Sequence, residues 1–297
     1  MKQRTVSKDR HAYLIMCHSN FNILMKLLKS IDDVRNDIYI HIDKKVNSCP
    51  YDILKDSVHN AKINFIKRIS VNWGGYSQIR AEMALLDEAT KSNHSYYHLI
   101  SGVDYPLKSQ DYIHNYFQDH LGCEFIRFDI TACREKTFLD RIRYYYFFQE
   151  FIGRNSGKIP ALCYTLQEKL LILQKKLHVD RVKRFPEEIY KGTQGFSITH
   201  DMALYLLKQK KKIKHLCRYG MCVDEIFLQT MAMQSPYRER IVNNSLRDID
   251  WQRGKPYTFG DIDFEELKST DRLFARKFDE QVSMEIIEKL HEYIMST

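Results

Sequence analysis

The sequence has few cysteine, proline and glycine residues and no long apolar stretch, and each shortage argues against a class of protein. Its seven cysteines are odd in number and include no Cys-x-x-Cys pair, so neither a disulfide framework nor a zinc site is expected, and a reducing compartment is favoured. Six prolines and eleven glycines leave little room for long disordered linkers. The apolar stretch at residues 12–17 is too short for a signal peptide or a membrane span. We therefore expect a cytoplasmic protein whose contact with a membrane would be peripheral.

Length and charge leave several functions open. The 297 residues suffice for one large α/β domain or two small ones. Lysine and arginine number 46 against 38 aspartate and glutamate, a formal net charge of +8 at pH 7. This excess suits a polyanionic ligand, an acidic membrane surface or a nucleic acid, and a solvated basic surface would explain it equally well.

Short apolar runs alternate with amphipathic stretches along the first third of the chain. Helices are predicted at 20–30 and 77–92, where apolar residues recur at helical spacing. Strands are predicted at 11–17, 37–43, 62–66, 96–101 and 123–128. This alternation predicts an α/β fold with a mostly parallel central sheet flanked by helices. Sheets of this kind bind ligands at the carboxyl ends of their strands.

The middle of the chain, residues 131–184, is helical in pattern, basic and aromatic. It carries an apolar stripe at Leu162, Leu166, Leu170, Leu173 and Leu177. The stripe lacks sustained heptads, which favours a packed helix over a partner-binding zipper. The basic run at 208–214 could touch anionic lipid, although a basic helix end is the simpler interpretation. A last helix is predicted at 284–294.

Two acidic residues follow predicted strands. Asp43 ends the strand at 37–43, and Asp104 comes just after the strand at 96–101, in a turn that holds Pro106. Both should lie on the same rim of the sheet, where α/β proteins bind nucleosides. His41 is two residues before Asp43 on the same strand face, so a metal role is conceivable. A helix cap would also account for Asp43.

The segment at 71–77 places Trp73, Gly74 and Gly75 just ahead of a strong helix. The two glycines permit a tight turn and a close approach of the backbone to a ligand. Ser77 is a natural N-cap for the helix, and a plain capped loop explains the segment equally well.

An acidic pair and a basic pair complete the candidate residues. Asp224 and Glu225 precede an amphipathic segment, where they could be a cap and an ordinary first-turn acid. Alternatively, one of them is a general base. Arg276 and Lys277 lie between two phenylalanines. Fixed cations of this kind can neutralise a departing diphosphate.

Taken together, these segments resemble the core-2 and I-branching β-1,6-N-acetylglucosaminyltransferases and peptide O-xylosyltransferases, glycosyltransferase family 14. The similar segments, in chain order, are HAYLIMCHSN, YIHIDKK, VNWGGYSQIRAEMALL, YYHLISGVDYPLKS, KGTQGFSITHD, DEIFLQT, NNSLRDIDW and LFARKF. They cover most of the chain from residue 11 to residue 280. The resemblance implies a GT-A-type nucleotide-diphospho-sugar transferase fold, a UDP-sugar donor, inversion at the anomeric carbon, and no requirement for a metal or other cofactor.

The resemblance also implies roles for individual residues. Glu225 corresponds to the catalytic base, Arg247 and Lys277 to the cations that hold the donor diphosphate, and Asp43 with Lys44 to contacts of the donor nucleotide. The residues implied to line the donor and acceptor cleft are Trp73, Gly74, Gly75, Asp104, Gln194, Phe196, Asp224 and Trp251. Gly195 stands where the family more often has Trp, which is a departure at the acceptor side.

The resemblance further implies one glycosyltransferase domain. Residues 11–130 would form the nucleotide-sugar-binding half, residues 131–280 a helical insert with the acceptor and catalytic half, and residues 281–297 a C-terminal helix. Animal members have a membrane anchor, a stem and disulfides, which are not found in this sequence. We therefore expect a bacterial-type enzyme that transfers N-acetylglucosamine or xylose to a glycan or lipid-linked glycan of a surface polysaccharide, with peripheral contact to an anionic membrane.

Three other functions compete with this interpretation. A catalytically inactive sugar-binding relative is one, and the presence of Glu225, Arg247 and Lys277 argues against it. A metal-dependent phosphohydrolase or nuclease would use His41, Asp43 and Asp104, and would bind a divalent metal tightly. A non-catalytic nucleic-acid-binding protein would show steep salt dependence. The basic residues are scattered and match no nucleic-acid motif, which disfavours nucleic acid as a partner.

Overall fold

The computed structural model describes residues 10–154, 156–185, 187–254 and 256–297. The strands are His11–Cys17 (β1), Asn36–Ile42 (β2), Lys62–Phe65 (β3), Tyr96–Ser101 (β4), Asp104–Pro106 (β5), Glu124–Phe128 (β6), Gly192–Thr199 (β7), Ile241–Val242 (β8), Arg247–Ile249 (β9) and Phe274–Arg276 (β10). The longer helices are Phe21–Ser30 (α1), Tyr51–Asp56 (α2), Tyr76–Ala89 (α3), Gln110–Asp119 (α4), Ile130–Glu135 (α5), Asp140–Arg143 (α6), Gln149–Ile152 (α7), Lys158–Lys176 (α8), His200–Lys208 (α9), Lys210–Cys217 (α10), Phe227–Met233 (α11), Phe264–Ser269 (α12) and Glu285–Met295 (α13). Single 3₁₀ turns occur at Thr137–Leu139, Val182–Arg184, Val223–Glu225, Arg238–Arg240 and Asp261–Asp263.

Seven of the strands form one sheet in the order β3-β2-β1-β4-β7-β6-β8. All neighbours in it run parallel except β7, which is antiparallel to both β4 and β6. The predicted α/β fold with a mostly parallel sheet is therefore confirmed. Since β7 and β8 lie beyond residue 130, the two halves implied for the domain share this sheet; the division of the chain itself stays a prediction.

The apolar runs form these strands because both faces of the sheet are covered. Along β1, Tyr13 and Ile15 face one hydrophobic cluster, whereas Ala12 and Leu14 face another. Helices α1, α4 and α13 contribute to the first cluster, and α3, α9 and α11 to the second. A parallel strand buried on both faces reads as a continuous apolar run, as β1 and β2 do.

A small second sheet, in the order β5-β10-β9, attaches to the rim of the large one. β5 begins three residues after β4 ends, and it pairs antiparallel with β10 so that Asp104 lies opposite Arg276. β9 runs parallel to β10. This pairing brings residues near 250 and 277 to the carboxyl ends of the strands of the large sheet.

The helix predicted around the leucines at 162–177 is present as α8, but the prediction that these leucines form a packed face is wrong. Leu162 is 69% exposed and Leu177 is 66% exposed. The buried side chains of α8 are Gln167 and Gln174, which hydrogen-bond the backbone of Tyr145. The amides face the protein because they satisfy buried backbone groups that leucine could not.

Within the described ranges, we find no helix that combines the length and the apolar character needed to cross a bilayer.

Candidate functional site

The rim of the large sheet begins with Asp43, directly after β2. Its backbone N–H donates to the Cys17 carbonyl at 2.9 Å, which ties the ends of β2 and β1 together. Its Oδ1 accepts from the Lys45 N–H at 2.9 Å, and its Oδ2 lies 3.8 Å from the Lys45 Nζ. The predicted nucleotide contact is thus a fixed, largely buried carboxylate, and Lys44 beside it is exposed.

The side chain of His41 stabilises this rim by a hydrogen bond to the backbone. Its Nε2 accepts a hydrogen bond from the Ile69 N–H at 2.9 Å, and burial lowers its pKa. Among the residues that the structure describes, no three His, Cys, Asp or Glu side chains are grouped so that they could hold a metal ion. The alternative of a phosphohydrolase built on His41, Asp43 and Asp104 therefore has no support.

The carboxylate of Asp104 accepts hydrogen bonds from two neighbouring residues. Its Oδ2 accepts from the Ser101 N–H at 2.9 Å, and its Oδ1 accepts from the Ser101 hydroxyl at 2.6 Å. The Nη1 of Arg276 donates to the same Oδ1 at 2.8 Å. Asp104 is nearly fully buried, so it closes the turn between β4 and β5 and holds Arg276 in place. The sequence marks Arg276 and Lys277 as a basic pair, and only the fold shows that Asp104 holds Arg276.

Lys277 is a cation whose amine remains available at this edge. It is half-buried, and its backbone carbonyl accepts from the Phe259 N–H at 3.0 Å. Within the described residues, its amine has no hydrogen bond or ion pair. A lysine held by its backbone with a free amine can meet an anion without first breaking another contact.

Arg247 is buried, and the charges of Asp104 and Arg276 act on it. Its Nη2 donates to the carbonyls of Leu99 at 2.9 Å and Phe196 at 2.6 Å, and its Nη1 donates to that of Ser245. Burial lowers its pKa to about 10, so it stays charged at neutral pH. The structure does not support the expected diphosphate contact of Arg247, because both terminal nitrogens are bonded to backbone carbonyls and the buried Nε has no partner among the described residues.

The strand β7 explains the departure at Gly195. A Cβ at Gly195 would lie 2.7 Å from the Nε of Arg247, so the buried guanidinium leaves no room for a larger residue. Phe196 is fully buried in the core, and Gln194 donates to the Oε1 of Glu82 at 2.8 Å. Contrary to expectation, Phe196 does not line a cleft, and the amide of Gln194 is bonded to an internal carboxyl group.

The two glycines after Trp73 pack against other parts of the protein and do not face an open cleft. Gly74 has φ +72°, and a Cβ there would lie 2.9 Å from the Nε2 of Gln149. Its carbonyl accepts from the Cys222 N–H at 2.8 Å. A Cβ at Gly75 would lie 2.8 Å from the carboxylate of Glu150. The close approach predicted for a ligand is therefore taken by α7 and by the segment around residue 222.

Glu150 supplies the N-terminal cap of α3. Its Oε1 accepts from the Ser77 N–H at 2.8 Å, and its Oε2 from the Ser77 hydroxyl at 2.7 Å. The helix begins at Tyr76, and Ser77 makes no cap bond to the helix itself. The prediction that Ser77 is the N-cap is wrong. The helix N-terminus is capped instead by this carboxylate from a distant part of the chain.

Two exposed indoles flank the rim. Trp73 is about half exposed, with the Arg154 guanidinium 5.1 Å from its ring centre. Trp251 is also exposed, two residues beyond the end of β9. Exposed indoles beside a polar rim suit contacts with sugar rings, because they offer a flat apolar face and one hydrogen-bond donor.

Glu225 lies at the end of the 3₁₀ turn Val223–Glu225, with its side chain 31% exposed. Its Oε2 accepts from the Nη1 of Arg141 at 2.7 Å and lies 3.7 Å from the Nζ of Lys191. A carboxylate that is reachable and oriented by a cation meets the geometric need of a general base. Sequence reasoning missed both cations, because they lie 84 and 34 residues away from Glu225 along the chain.

The adjacent Asp224 points the other way, into the protein. Its Oδ2 accepts from the Nε2 of Gln78 at 3.1 Å, and its Oδ1 has no hydrogen-bond partner in the described structure. Burial, and then the charge of Glu225, raise the pKa of Asp224 to about 7. The fully buried Glu82 lies close enough that burial and Asp224 raise its pKa well above the usual value. These two carboxyl groups form a buried acidic pair beneath the turn.

The groups at this edge act on one another. Burial lowers the pKa of His18, just after β1, while Asp43 raises it and Arg276 lowers it. Arg276 also lowers the pKa of Asp224 in small measure. The rim therefore combines a carboxylate after β2 with a cation at the end of β10 and another just after it, and the charge of Arg276 reaches the turn that carries Glu225. This arrangement can bind a polyanion beside a group that accepts a proton.

Comparison with known proteins gives a consistent result. Residues 11–139 and 164–271 match the family described as Core-2/I-branching enzyme. The chain is 24% identical to xylosyltransferase 1 of Rattus norvegicus over 96% of this chain and 35% of that protein. It is 22% identical to xylosyltransferase 2 of Rattus norvegicus over 95% of this chain and 33% of that protein. The chain thus spans about a third of the length of these relatives.

Among solved structures, the chain is similar to mouse xyloside xylosyltransferase 1 in its apo form. The TM-score is 0.39 and the identity 10%, over 90% of this chain and 96% of that one.

Proposed function

Since the chain belongs to the Core-2/I-branching enzyme family of glycosyltransferases, we propose that it moves a sugar from a UDP-sugar to a hydroxyl of a glycan acceptor. We further propose a GT-A-type mechanism with inversion at the anomeric carbon and no required metal ion. The transferred sugar is N-acetylglucosamine or xylose, in keeping with the xylosyltransferase relatives. The observation that chiefly supports this proposal is the partly exposed carboxylate of Glu225, which Arg141 orients, in a turn on which the charge of Arg276 also acts.

The nucleotide is bound at the carboxyl ends of β1 and β2. Asp43 follows β2 and keeps its Oδ2 toward Lys45, so it can accept hydrogen bonds from the base or ribose. Lys44 is exposed beside it and can reach a phosphate. This is the position at which open α/β sheets bind their ligands.

Glu225 takes the proton of the acceptor hydroxyl. The hydroxyl oxygen then attacks the anomeric carbon from the face opposite the diphosphate, and the bond from that carbon to the β-phosphate oxygen breaks. Arg141 holds the Glu225 carboxylate by a 2.7 Å hydrogen bond, which fixes the direction of proton transfer. The products are the inverted glycoside and UDP.

Lys277 and Arg276 stabilise the negative charge that grows on the departing diphosphate. Arg276 is held by Asp104, and the Lys277 amine is free of other partners among the described residues. Arg247 is left out of this role because its fork is bonded to sheet carbonyls. Cations already in position can replace a metal here, in keeping with His-x-Asp at residues 41–43 in place of Asp-x-Asp.

We place the reaction in the synthesis of a bacterial surface polysaccharide, on a glycan or lipid-linked glycan at the inner face of the membrane. The cysteine usage supports a reducing compartment. The net charge of +8 supports peripheral contact with anionic lipid.

A donor screen tests the proposal. UDP-xylose, UDP-N-acetylglucosamine, UDP-glucose and UDP-galactose are compared by thermal unfolding, with GDP-mannose as the control nucleotide sugar. We expect one UDP-sugar to raise Tm, and NMR of the product to show a β-glycoside formed from the α-linked donor. Failure of every UDP-sugar and of UDP to bind would contradict the proposal, as would retention of the α configuration.

A further inference from the structure

Helix α8 presents its polar face to the protein and its apolar face to the solvent, which is the reverse of an ordinary surface helix. Its inward face is polar, because the Gln174 Oε1 accepts from the Tyr145 N–H at 2.7 Å and its Nε2 donates to the Tyr145 carbonyl at 3.0 Å. Its outward face is apolar. A surface helix normally buries its apolar stripe, so the reverse orientation needs a cause outside the described chain.

The outward face has a defined pattern. We name as the leucine stripe five apolar side chains that are between 42% and 71% exposed, namely Ile159, Leu162, Leu166, Leu173 and Leu177; the exposed Tyr164 and Ile172 lie outside it. At 100° per residue, these five fall within a sector of about 60°. Lys158, Lys169 and Lys176 fall in a row along one edge of that sector. An apolar stripe bordered by lysines is the pattern of a helix that lies in a membrane interface.

A pocket of about 370 Å³ opens at the C-terminal end of α8. We name it the basic pocket after its exposed cations, which are Arg184, Lys211, Lys214 and Arg218. Lys211 and Lys214 lie on α10 and Arg218 directly follows it, at spacings of three and four residues that place all three on one face. Within the described residues, none of the four has a carboxylate within 4.0 Å, and the lining of the pocket includes no acidic residue.

The leucine stripe and the basic pocket are held together as one surface. Tyr145 lines the pocket, and its backbone is the group bonded by Gln174 of α8. Arg181, four residues past Leu177, packs over the Tyr145 ring at 4.7 Å. Its Nη2 donates to the carbonyls of His215 and Leu216 at the end of α10, each at 3.2 Å. These bonds fix the end of α8 against α10.

We propose that the leucine stripe and the basic pocket form a docking surface for an anionic lipid bilayer. The stripe enters the boundary between headgroups and acyl chains, the lysine row meets the headgroups, and the pocket cations bind lipid phosphates. Charge argues against a second copy of the chain, because two such faces would bring like charges together. A soluble polyanion would occupy the pocket and leave the stripe in water.

Vesicle co-sedimentation tests this surface without any need for catalysis. Wild-type protein is mixed with vesicles of phosphatidylglycerol and phosphatidylcholine, or of phosphatidylcholine alone, at about 0.1 M salt. The stripe variant carries Leu162→Gln, Leu166→Gln and Leu173→Gln, and the pocket variant carries Arg184→Glu, Lys211→Glu and Lys214→Glu. The matched controls are Ile53→Gln and Lys55→Glu on α2, which are also exposed.

We expect wild-type protein and both controls to sediment with the phosphatidylglycerol vesicles and to stay in solution with phosphatidylcholine alone. Each test variant should bind about tenfold less, with an unchanged Tm because its substitutions are at exposed positions. The proposal is overturned if wild-type protein ignores anionic vesicles, or if the stripe variant binds as well as wild type. It is also overturned if light scattering finds a lipid-free dimer that the stripe variant dissociates.

Discussion

Asp224 and Glu225 are adjacent, yet the 3₁₀ turn directs their carboxylates into different surroundings. Glu225 reaches solvent and is held by Arg141, whereas Asp224 is buried with one oxygen left without a partner among the described residues. The environment decides which of two identical functional groups can exchange a proton with a substrate. We therefore assign the base to Glu225 and treat Asp224 as a buried acid.

Glu225→Gln should lower kcat by about 10²–10⁴-fold, the usual contribution of a general base. The substitution keeps the size of the side chain and removes its proton acceptor, so affinity for UDP should change little. Steady-state kinetics and calorimetry of UDP binding measure the two effects. Glu135→Gln, at an exposed site on α5, is the control. Turnover of Glu225→Gln within a few-fold of wild type would move the base elsewhere.

Asp224→Asn should make stability less dependent on pH. In the folded protein the pKa of Asp224 is about 7, against an ordinary value of 3.8. Between these values the folded state holds a proton that the unfolded state has lost, so wild-type stability falls as pH rises from about 4 to about 7. Denaturant unfolding should show that, from pH 5 to pH 8, the free energy of unfolding of the variant rises by about 1–3 kcal/mol relative to that of wild type.

Asp119→Asn, at an exposed site on α4, should keep the wild-type pH dependence. An Asp224→Asn protein whose stability tracks that of wild type at both pH values would show that Asp224 is ionised in the fold.

Substitutions of Arg247 and Lys277 should impair different properties of the protein. Lys277→Ala should keep Tm and lower kcat with a loss of about 2–4 kcal/mol of transition-state stabilisation, because its free amine meets charge that grows during bond cleavage. Arg247→Lys should instead lower the free energy of unfolding by about 2–5 kcal/mol, because lysine leaves buried carbonyls unsatisfied. Kinetics and urea unfolding of both variants separate the two roles.

Lys91→Ala, at an exposed site after α3, controls for the loss of a positive charge. Normal stability of Arg247→Lys together with weak UDP binding would return Arg247 to the diphosphate site.

At the scale of elements, α3 depends on a cap from α7. Glu150→Ala should remove the two hydrogen bonds to Ser77 and lower the free energy of unfolding by about 1–2 kcal/mol. The loss should also loosen the turn at Gly74, whose carbonyl holds the Cys222 N–H, so kcat should fall while UDP affinity is kept. Urea unfolding, kinetics and limited proteolysis measure these effects.

The matched control for this cap is Glu168→Ala, an exposed acid on α8 that should change stability by less than about 0.5 kcal/mol. Equal stability of the two variants would show that α3 is capped without Glu150.

At the scale of the whole molecule, the proposed donor site takes residues from both sheets. A ligand that binds only the folded state stabilises all of it, by about 2.7 kcal/mol at a concentration of 100 Kd. UDP should therefore raise Tm, and the shift should be the same in EDTA as in Mn²⁺, because the proposed counter-charges are Arg276 and Lys277. A shift that appears only with Mn²⁺ would contradict metal-free binding. CMP serves as the nucleotide control.

Much of the fold was predictable because the signals for it are local. β1 and β4 have their predicted bounds, and β2, β3 and β6 differ from prediction by at most one residue at either end. Continuous apolar runs mark such doubly buried strands. The three-residue strands β5, β9 and β10 carry no periodic signal, and they are the elements that bring Arg276 and Lys277 to the rim.

The sequence by itself determined the α/β alternation, the placement of Asp43 and Asp104 after strands, and the order of segments that marks the family. The tertiary structure alone decided which side chains are available. Arg247 and Phe196 are buried, Glu150 caps a helix 73 residues before it, and α8 turns its leucines outward. Periodicity and spacing describe one stretch of chain at a time, whereas burial, hydrogen-bond partners and pKa depend on what the fold brings alongside it.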